Sequence, residues 1–136
     1  MHARTVSATV NRPAAEVYDY LADPPNFPRW SEFLTAIRPE QGDWIAATPQ
    51  GDVRIRFVER NQFGVVDHYV TIPSGATVYV PLRVVRNGDQ AEVLFTVFRL
   101  PEMTEQQFET DVGLVLRDLA NLRRVLEAAT RSCGQK

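Results

Sequence analysis

Few residues in this chain are suited to chemistry. His2 and His68 are its two histidines, and an imidazole with an unperturbed pKa of ~6.5 can give or take a proton near neutrality. Strand parity groups three polar residues, Glu59, His68 and Arg99, with otherwise apolar neighbours. Together they suggest a proton-transfer site, with His68 as general acid or base and Arg99 or a tyrosine steadying an enolate-like charge. A structural reading stays open for each. A lone inward histidine is commonly a satisfied core residue, and Glu59 and Arg99 lie near strand ends, within reach of water. Asp67 precedes His68 and therefore points to the opposite face, where it is expected in solvent and forms no dyad. The chain has no P-loop, GxGxxG, GxSxG or HExxH. It also has no carboxylate, cysteine or histidine cluster at metal-ligand spacing. Neither cofactor nor metal is expected.

The elements that must hold these residues are strands. Between Leu34 and Leu100, turn signals recur at Pro39–Gly42, Pro49–Gly51, Asn61–Gly64, Pro73–Gly75 and Asn87–Asp89. The spacing leaves no room for crossover helices, which predicts consecutive antiparallel strands and excludes a doubly wound parallel sheet. If Gln62-Phe63 is a two-residue turn, Phe57 faces His68 and Glu59 faces Val66. One face of that hairpin then carries Val53, Ile55, Phe57, Glu59, Val66, His68, Val70 and Ile72. For the next pair, either register of the turn puts Val78, Val80, Leu82 and Val84 with Val93, Phe95, Val97 and Arg99. These are the inner faces. The outer face carries Arg54, Arg56 and Arg60, together with Val58, Tyr69, Tyr79, Val85, Leu94 and Phe98. An outward apolar patch of that kind suggests a homodimer.

Helices flank the strands. Thr5–Val10 reads as a first strand, and Asn11-Arg12-Pro13 as the cap and early proline of a helix carrying Ala14, Val17, Tyr18 and Leu21. Pro24-Pro25 stops that helix, and Asn26–Phe33 reads as a compact helical piece. Thr104 opens a long helix with Gln107 as its capping-box partner. Phe108, Val112, Val115, Leu119, Leu122, Leu126 and Ala129 form its apolar stripe, widened by Leu114, Leu116 and Val125, while Asp111, Arg117, Asp118 and Arg123 are assigned to the wet face. Gly113 has two readings, tolerance near the helix start or room for a ligand.

The 136 residues fit one domain, with an ordered core from about 3 to 130 and a polar tail over 131–136. Fifteen Lys plus Arg against 17 Asp plus Glu gives a formal net charge of -2, which lacks the basic excess of a nucleic-acid binder. The N-terminus has no signal-like apolar stretch and no apolar run approaches a membrane span, so a cytoplasmic location without integral membrane association is expected. Cys133, the single cysteine, reads as incidental.

The order of strand, two short helices, antiparallel strands and a long last helix resembles the α+β helix-grip fold of the START/Bet v 1-like (SRPBCC) superfamily. Residue by residue, the likeness lies in Val6–Val10, in Arg12-Pro13-Ala14-Ala15-Glu16-Val17-Tyr18-Asp19-Tyr20-Leu21-Ala22-Asp23-Pro24 and in Asn26-Phe27-Pro28-Arg29-Trp30, which look like the opening of bacterial polyketide cyclase/dehydrase and lipid-transport type proteins. The resemblance spans essentially the whole chain. It implies a curved sheet gripping the long helix and an internal cavity for a small hydrophobic or aromatic molecule such as a lipid, quinone or polyketide. Lining residues would be Phe57, Glu59, His68, Val70, Val80, Leu82, Phe95, Val97, Arg99, Val112 and Trp30. Phe27 and Trp30 are rim residues or simple anchors of the short helices, and Trp44, Tyr79 and Met103 are weaker candidates. Two functions follow: non-enzymatic ligand binding, or a cyclase/dehydratase with His68 as its catalytic candidate. The fold name alone supplies no activity.

Overall fold

The computed structural model describes residues 2–134, with side chains described for 2–128. Strand β1 (Ala3–Val10) leads to helix α1 (Ala14–Leu21), a 3-10 turn over Pro24–Asn26 and the one-turn helix α2 (Phe27–Trp30). Strands β2 (Ala36–Glu40), β3 (Asp43–Thr48), β4 (Gly51–Phe57), β5 (His68–Thr71), β6 (Thr77–Val80), β7 (Leu82–Asn87) and β8 (Gln90–Phe98) follow. Helix α3 spans Glu105–Gly134. It continues into the segment read from sequence as a tail, and the side chains of Ala129 and Cys133 lie outside the described residues.

All strand pairs are antiparallel, in the order β1-β8-β7 and β2-β3-β4-β5-β6. Pro81 separates β6 from β7, and its carbonyl accepts from Thr96 N at 3.1 Å. The β4–β5 register is the expected one, with Phe57 opposite His68 and Ile55 opposite Val70. One further bond in the same register, Val58 N to Asp67 O at 3.0 Å, ends the ladder, which corrects the two-residue turn expected at Gln62-Phe63. Asn61 organises a wider connection instead. Its Oδ1 accepts from Phe63 N (2.9 Å) and Val65 N (3.1 Å), while its Nδ2 donates to Glu59 O (3.0 Å) and Val65 O (2.9 Å). The chain then runs along β7, where Val66 N donates to Leu82 O and Val84 N to Gly64 O, stitching the two sheets together. Gly64 is required there: its φ is +73°, and a Cβ would stand 2.2 Å from Val84 O. Glu59, carried out on this connection, is exposed instead of inward.

Pro13 takes the N-cap position of α1 without a side-chain cap. Asn11, expected there, has its backbone N bonded to Glu127 Oε2 of α3 at 2.8 Å. The capping box of α3 forms as expected, Thr104 N to Gln107 Oε1 at 2.8 Å and Gln107 N to Thr104 Oγ1 at 3.1 Å. Phe108, Val112, Leu119, Leu122 and Leu126 are buried, but Leu114 and Leu116 are exposed, which narrows the expected stripe. A Cβ on Gly113 would meet nothing within 4 Å, so this glycine makes no close approach to the sheet. The core joins the α3 stripe to Val10, Leu82, Val84, Ala91 and Val93 of the sheet and to Val17 and Leu21 of α1. Each such valine or leucine contributes about 1.5–3 kcal/mol by burial.

Candidate functional site

His68 opens β5 on the inner face and is 5% exposed. Its Nδ1 lies 3.0 Å from Val66 O. A carbonyl can only accept, so Nδ1 carries the proton and Nε2 the free lone pair. No described residue hydrogen-bonds Nε2. Phe57 packs on the ring at 5.1 Å between centroids, and Phe27 meets it edge-on at 5.7 Å. Burial among these rings pushes the pKa down from 6.5 to about 4, against the opposing pulls of the Val66 carbonyl and the Asp67 charge. The imidazole is neutral at pH 7.

The wall around it changes along the sheet. Ala46, Val53 and Ile55 are buried, whereas Val70, Val78 and Val80 on the next two strands, and Ile72 just past β5, are half-buried. Phe95 and Val97 on β8 are half-buried too, as are Phe57, Trp44 and Met103. Leu82, Val112 and Trp30 are sealed in the core. Arg99 lies just past β8, its N bonded to His2 O (2.9 Å) and its Nε donating to Met103 O (3.2 Å). Four positions of strand, about 13 Å, separate it from Phe95. With Glu59 exposed and Arg99 at the margin, the three polar candidates do not converge, and His68 stands without them.

Helix α2 closes the wall beside His68. Phe27 and Trp30 are both buried, with ring centroids 5.0 Å apart, and Phe27 also packs on Phe57 at 5.2 Å. Prolines 24, 25 and 28 set up this short segment, and α3 holds its C-terminal end. Asp118 Oδ2 accepts from Ser31 Oγ at 3.2 Å and its Oδ1 from Glu32 N at 3.1 Å. Asn121 Nδ2 donates to Trp30 O at 3.4 Å. Burial pushes the Asp118 carboxyl up, with the two hydrogen bonds opposing. Asp118 is thus buried, which corrects its assignment to the wet face. The signal was present in its position, three residues after Val115 and four before Leu122.

Asp67 is the other correction. Expected in solvent, it is 4% exposed. Its carboxylate accepts from Tyr79 Oη (2.6 Å), Leu82 N (2.9 Å), Arg83 Nη2 (2.9 Å) and Arg83 Nε (3.3 Å). Burial alone would push its pKa up, but the bonds from Arg83, Tyr79 and Leu82 outweigh it and hold the carboxyl below its usual range. Tyr79 therefore serves the outer face. It stacks between Tyr69 (5.1 Å) and Phe98 (6.1 Å), so part of the expected outward patch is one continuous aromatic row. Val85 lies elsewhere, on a groove of about 580 Å³ with Tyr18, Arg60 and Phe63. A second groove, about 400 Å³, runs past Asp43, Arg54, Arg56 and Tyr69. Neither includes His68, Val70, Val80 or Phe95.

Among the described residues no three metal-ligating side chains gather, and no helix is long and apolar enough to cross a membrane. No curated protein matches the chain significantly. Among solved structures, it is similar to the Zhui aromatase/cyclase from Streptomyces sp. R1128, at 16% identity and TM-score 0.72 over 98% of this chain and 99% of that one. A START superfamily protein from Mycobacterium smegmatis matches at 12% identity and TM-score 0.71, over 95% and 99%. The di-domain ARO/CYC BexL of the BE-7585A biosynthetic pathway matches at 19% identity and TM-score 0.76, over 96% of this chain but 48% of its own. At these identities the likeness establishes the helix-grip fold. The family described as polyketide cyclase / dehydrase and lipid transport matches residues 1–127, and the chain belongs to that family.

Proposed function

We propose that the protein binds a small hydrophobic or aromatic molecule between the inner sheet face and α3, with His68 Nε2 accepting a hydrogen bond from the ligand. The observation that carries this reading is the half-buried apolar wall of Val70, Val80, Phe95 and Val97 beside a neutral histidine of fixed tautomer. Pockets of this kind pair much apolar surface with one or two placed polar groups. Phe57 and Arg99 would border the bound molecule, and the sealed Leu82, Val112 and Trp30 would support it from behind. Titration with 2-naphthol, menadione and palmitate, followed by melting temperature and tryptophan fluorescence, tests it. We expect stabilisation by 2-naphthol and about fivefold to tenfold weaker binding in His68→Phe, the size of one hydrogen bond. If none of the three binds, the reading falls.

A second reading is favoured by the same lone pair. Nε2 is unprotonated and can take a proton from a carbon acid, with a bound anion raising its pKa from about 4 toward neutrality, so a cyclase or dehydratase reaction on a polyketide-like chain would use His68 as its base. Turnover that persists in His68→Gln would remove that role. The aromatic row of Tyr69, Tyr79 and Phe98 supports a homodimer through the outer face. Sedimentation at several concentrations, with Tyr69→Glu as the disrupting variant, tests this.

A further inference from the structure

Trp30 is 2% exposed, and its indole Nε1–H is buried without an acceptor among the described residues. Buried donors are nearly always paired, and an indole nitrogen can only donate. His68 Nε2 makes no hydrogen bond to a described residue either, without being fully cut off from solvent as Trp30 Nε1 is, and in this tautomer it can only accept. The two rings flank one phenyl group: Phe27 lies 5.0 Å from Trp30 and 5.7 Å from His68, at right angles to the imidazole. The rings that carry an unused donor and an unused acceptor thus both pack on the same aromatic ring. That ring sits on a single helical turn whose clamps to α3, through Asp118 and Asn121, act at its far end. At the near end, Asn26 Nδ2 donates to Tyr20 O at 3.1 Å.

We propose that Phe27 fills a ligand subsite from within, and that a ligand ring displacing it is read by Trp30 Nε1–H and His68 Nε2. This rests on the inner-face binding reading above. The chemical class follows from the two unused atoms: a planar aryl ring carrying both a carbonyl acceptor and a hydroxyl donor. A hydrocarbon of equal size would fill the space but leave both protein groups unpaired.

The test uses the full chain as wild type and as Phe27→Ala, which opens a ring-sized space, with Phe27→Val as the milder variant should the alanine form not fold. The probes are 4-hydroxyacetophenone, 4-methylphenol, acetophenone and p-xylene, titrated while the two indole N–H resonances are followed by NMR. Trp44→Phe assigns them. We expect Phe27→Ala to bind 4-hydroxyacetophenone at least tenfold more tightly than p-xylene, with the two single-group probes between. The Trp30 resonance should move downfield with the two carbonyl probes alone. Equal or tighter binding of p-xylene, or an unmoved Trp30 resonance, overturns the subsite. If the wild type binds 2-naphthol while Trp30 and Phe27 resonances stay in place, the subsite falls and the wider binding reading stands. If the wild type binds nothing and Phe27→Ala does not discriminate among the probes, both fall.

Discussion

Asp67 and His68 are consecutive residues, buried to nearly the same degree, and they end in opposite states. Asp67 points to the outer face and keeps its charge, because a tyrosine, a backbone N–H and a guanidinium all donate to it. His68 points inward, meets two phenyl rings and one carbonyl, and gives its charge up. Burial is common to both; partners differ. The hydrogen-bond network around Asp67 is therefore complete, while the inner face holds a ring nitrogen whose capacity is unspent. A site for a ligand is to be sought where capacity remains.

The largest expected effects strike at this pair. For His68 the folded pKa of about 4 lies below its unfolded value of about 6.5, so the unfolded chain binds more protons between those limits. Stability attributable to this ring should be full above pH 6.5 and fall by about 3 kcal/mol as pH drops to 4. Urea unfolding of wild type against His68→Phe across that range should show the loss only in the wild type. Asp67→Ala leaves Leu82 N and Tyr79 Oη without their acceptor, and a cost of about 2–3 kcal/mol at pH 7 is expected. Arg83, half exposed, can turn to water. The native Asp67 contribution has a different pH window: its depressed pKa makes it present above the unfolded value near 3.9 and lost below it.

Smaller effects refine the comparison. Asp118→Ala removes the clamp on Ser31 and Glu32 and should cost about 1–2 kcal/mol, with faster amide exchange in residues 27–32 if α2 is the part released. Gly113→Ala should stabilise by up to about 1 kcal/mol, read in the unfolding midpoint, since the new methyl group meets no neighbour.

How much of this was legible in the sequence follows from the range of each interaction. His68 opposite Phe57 is a matter of parity within one hairpin, and the capping box of Thr104 and Gln107 needs three residues, so both could be read directly. Glu59 could not. Its placement depends on Asn61 capturing Val65 and Phe63, which replaces a tight turn by a wide one and ends the ladder at Val58, just before Glu59. Asp67 was hidden for a different reason: Arg83, sixteen residues onward, becomes its neighbour only because residues 64–66 leave β4 for β7. The Phe27 plug was visible as a pair of aromatics in a proline-rich segment, but its position against His68 is tertiary and has no local signal.

The pairing of β1 with β8 has a consequence for how the chain is made. Ala3 meets Phe98 and Val10 meets Ala91, so the first strand has its partner only after nearly a hundred residues have been synthesised. Helix α3, which covers the same strands, comes later still. This closure joins segments far apart in sequence, the kind of contact that slows folding. Closing this sheet therefore follows the synthesis of β8, and until then the side chains of Val6, Ala8 and Val10 lack the strand they pair with.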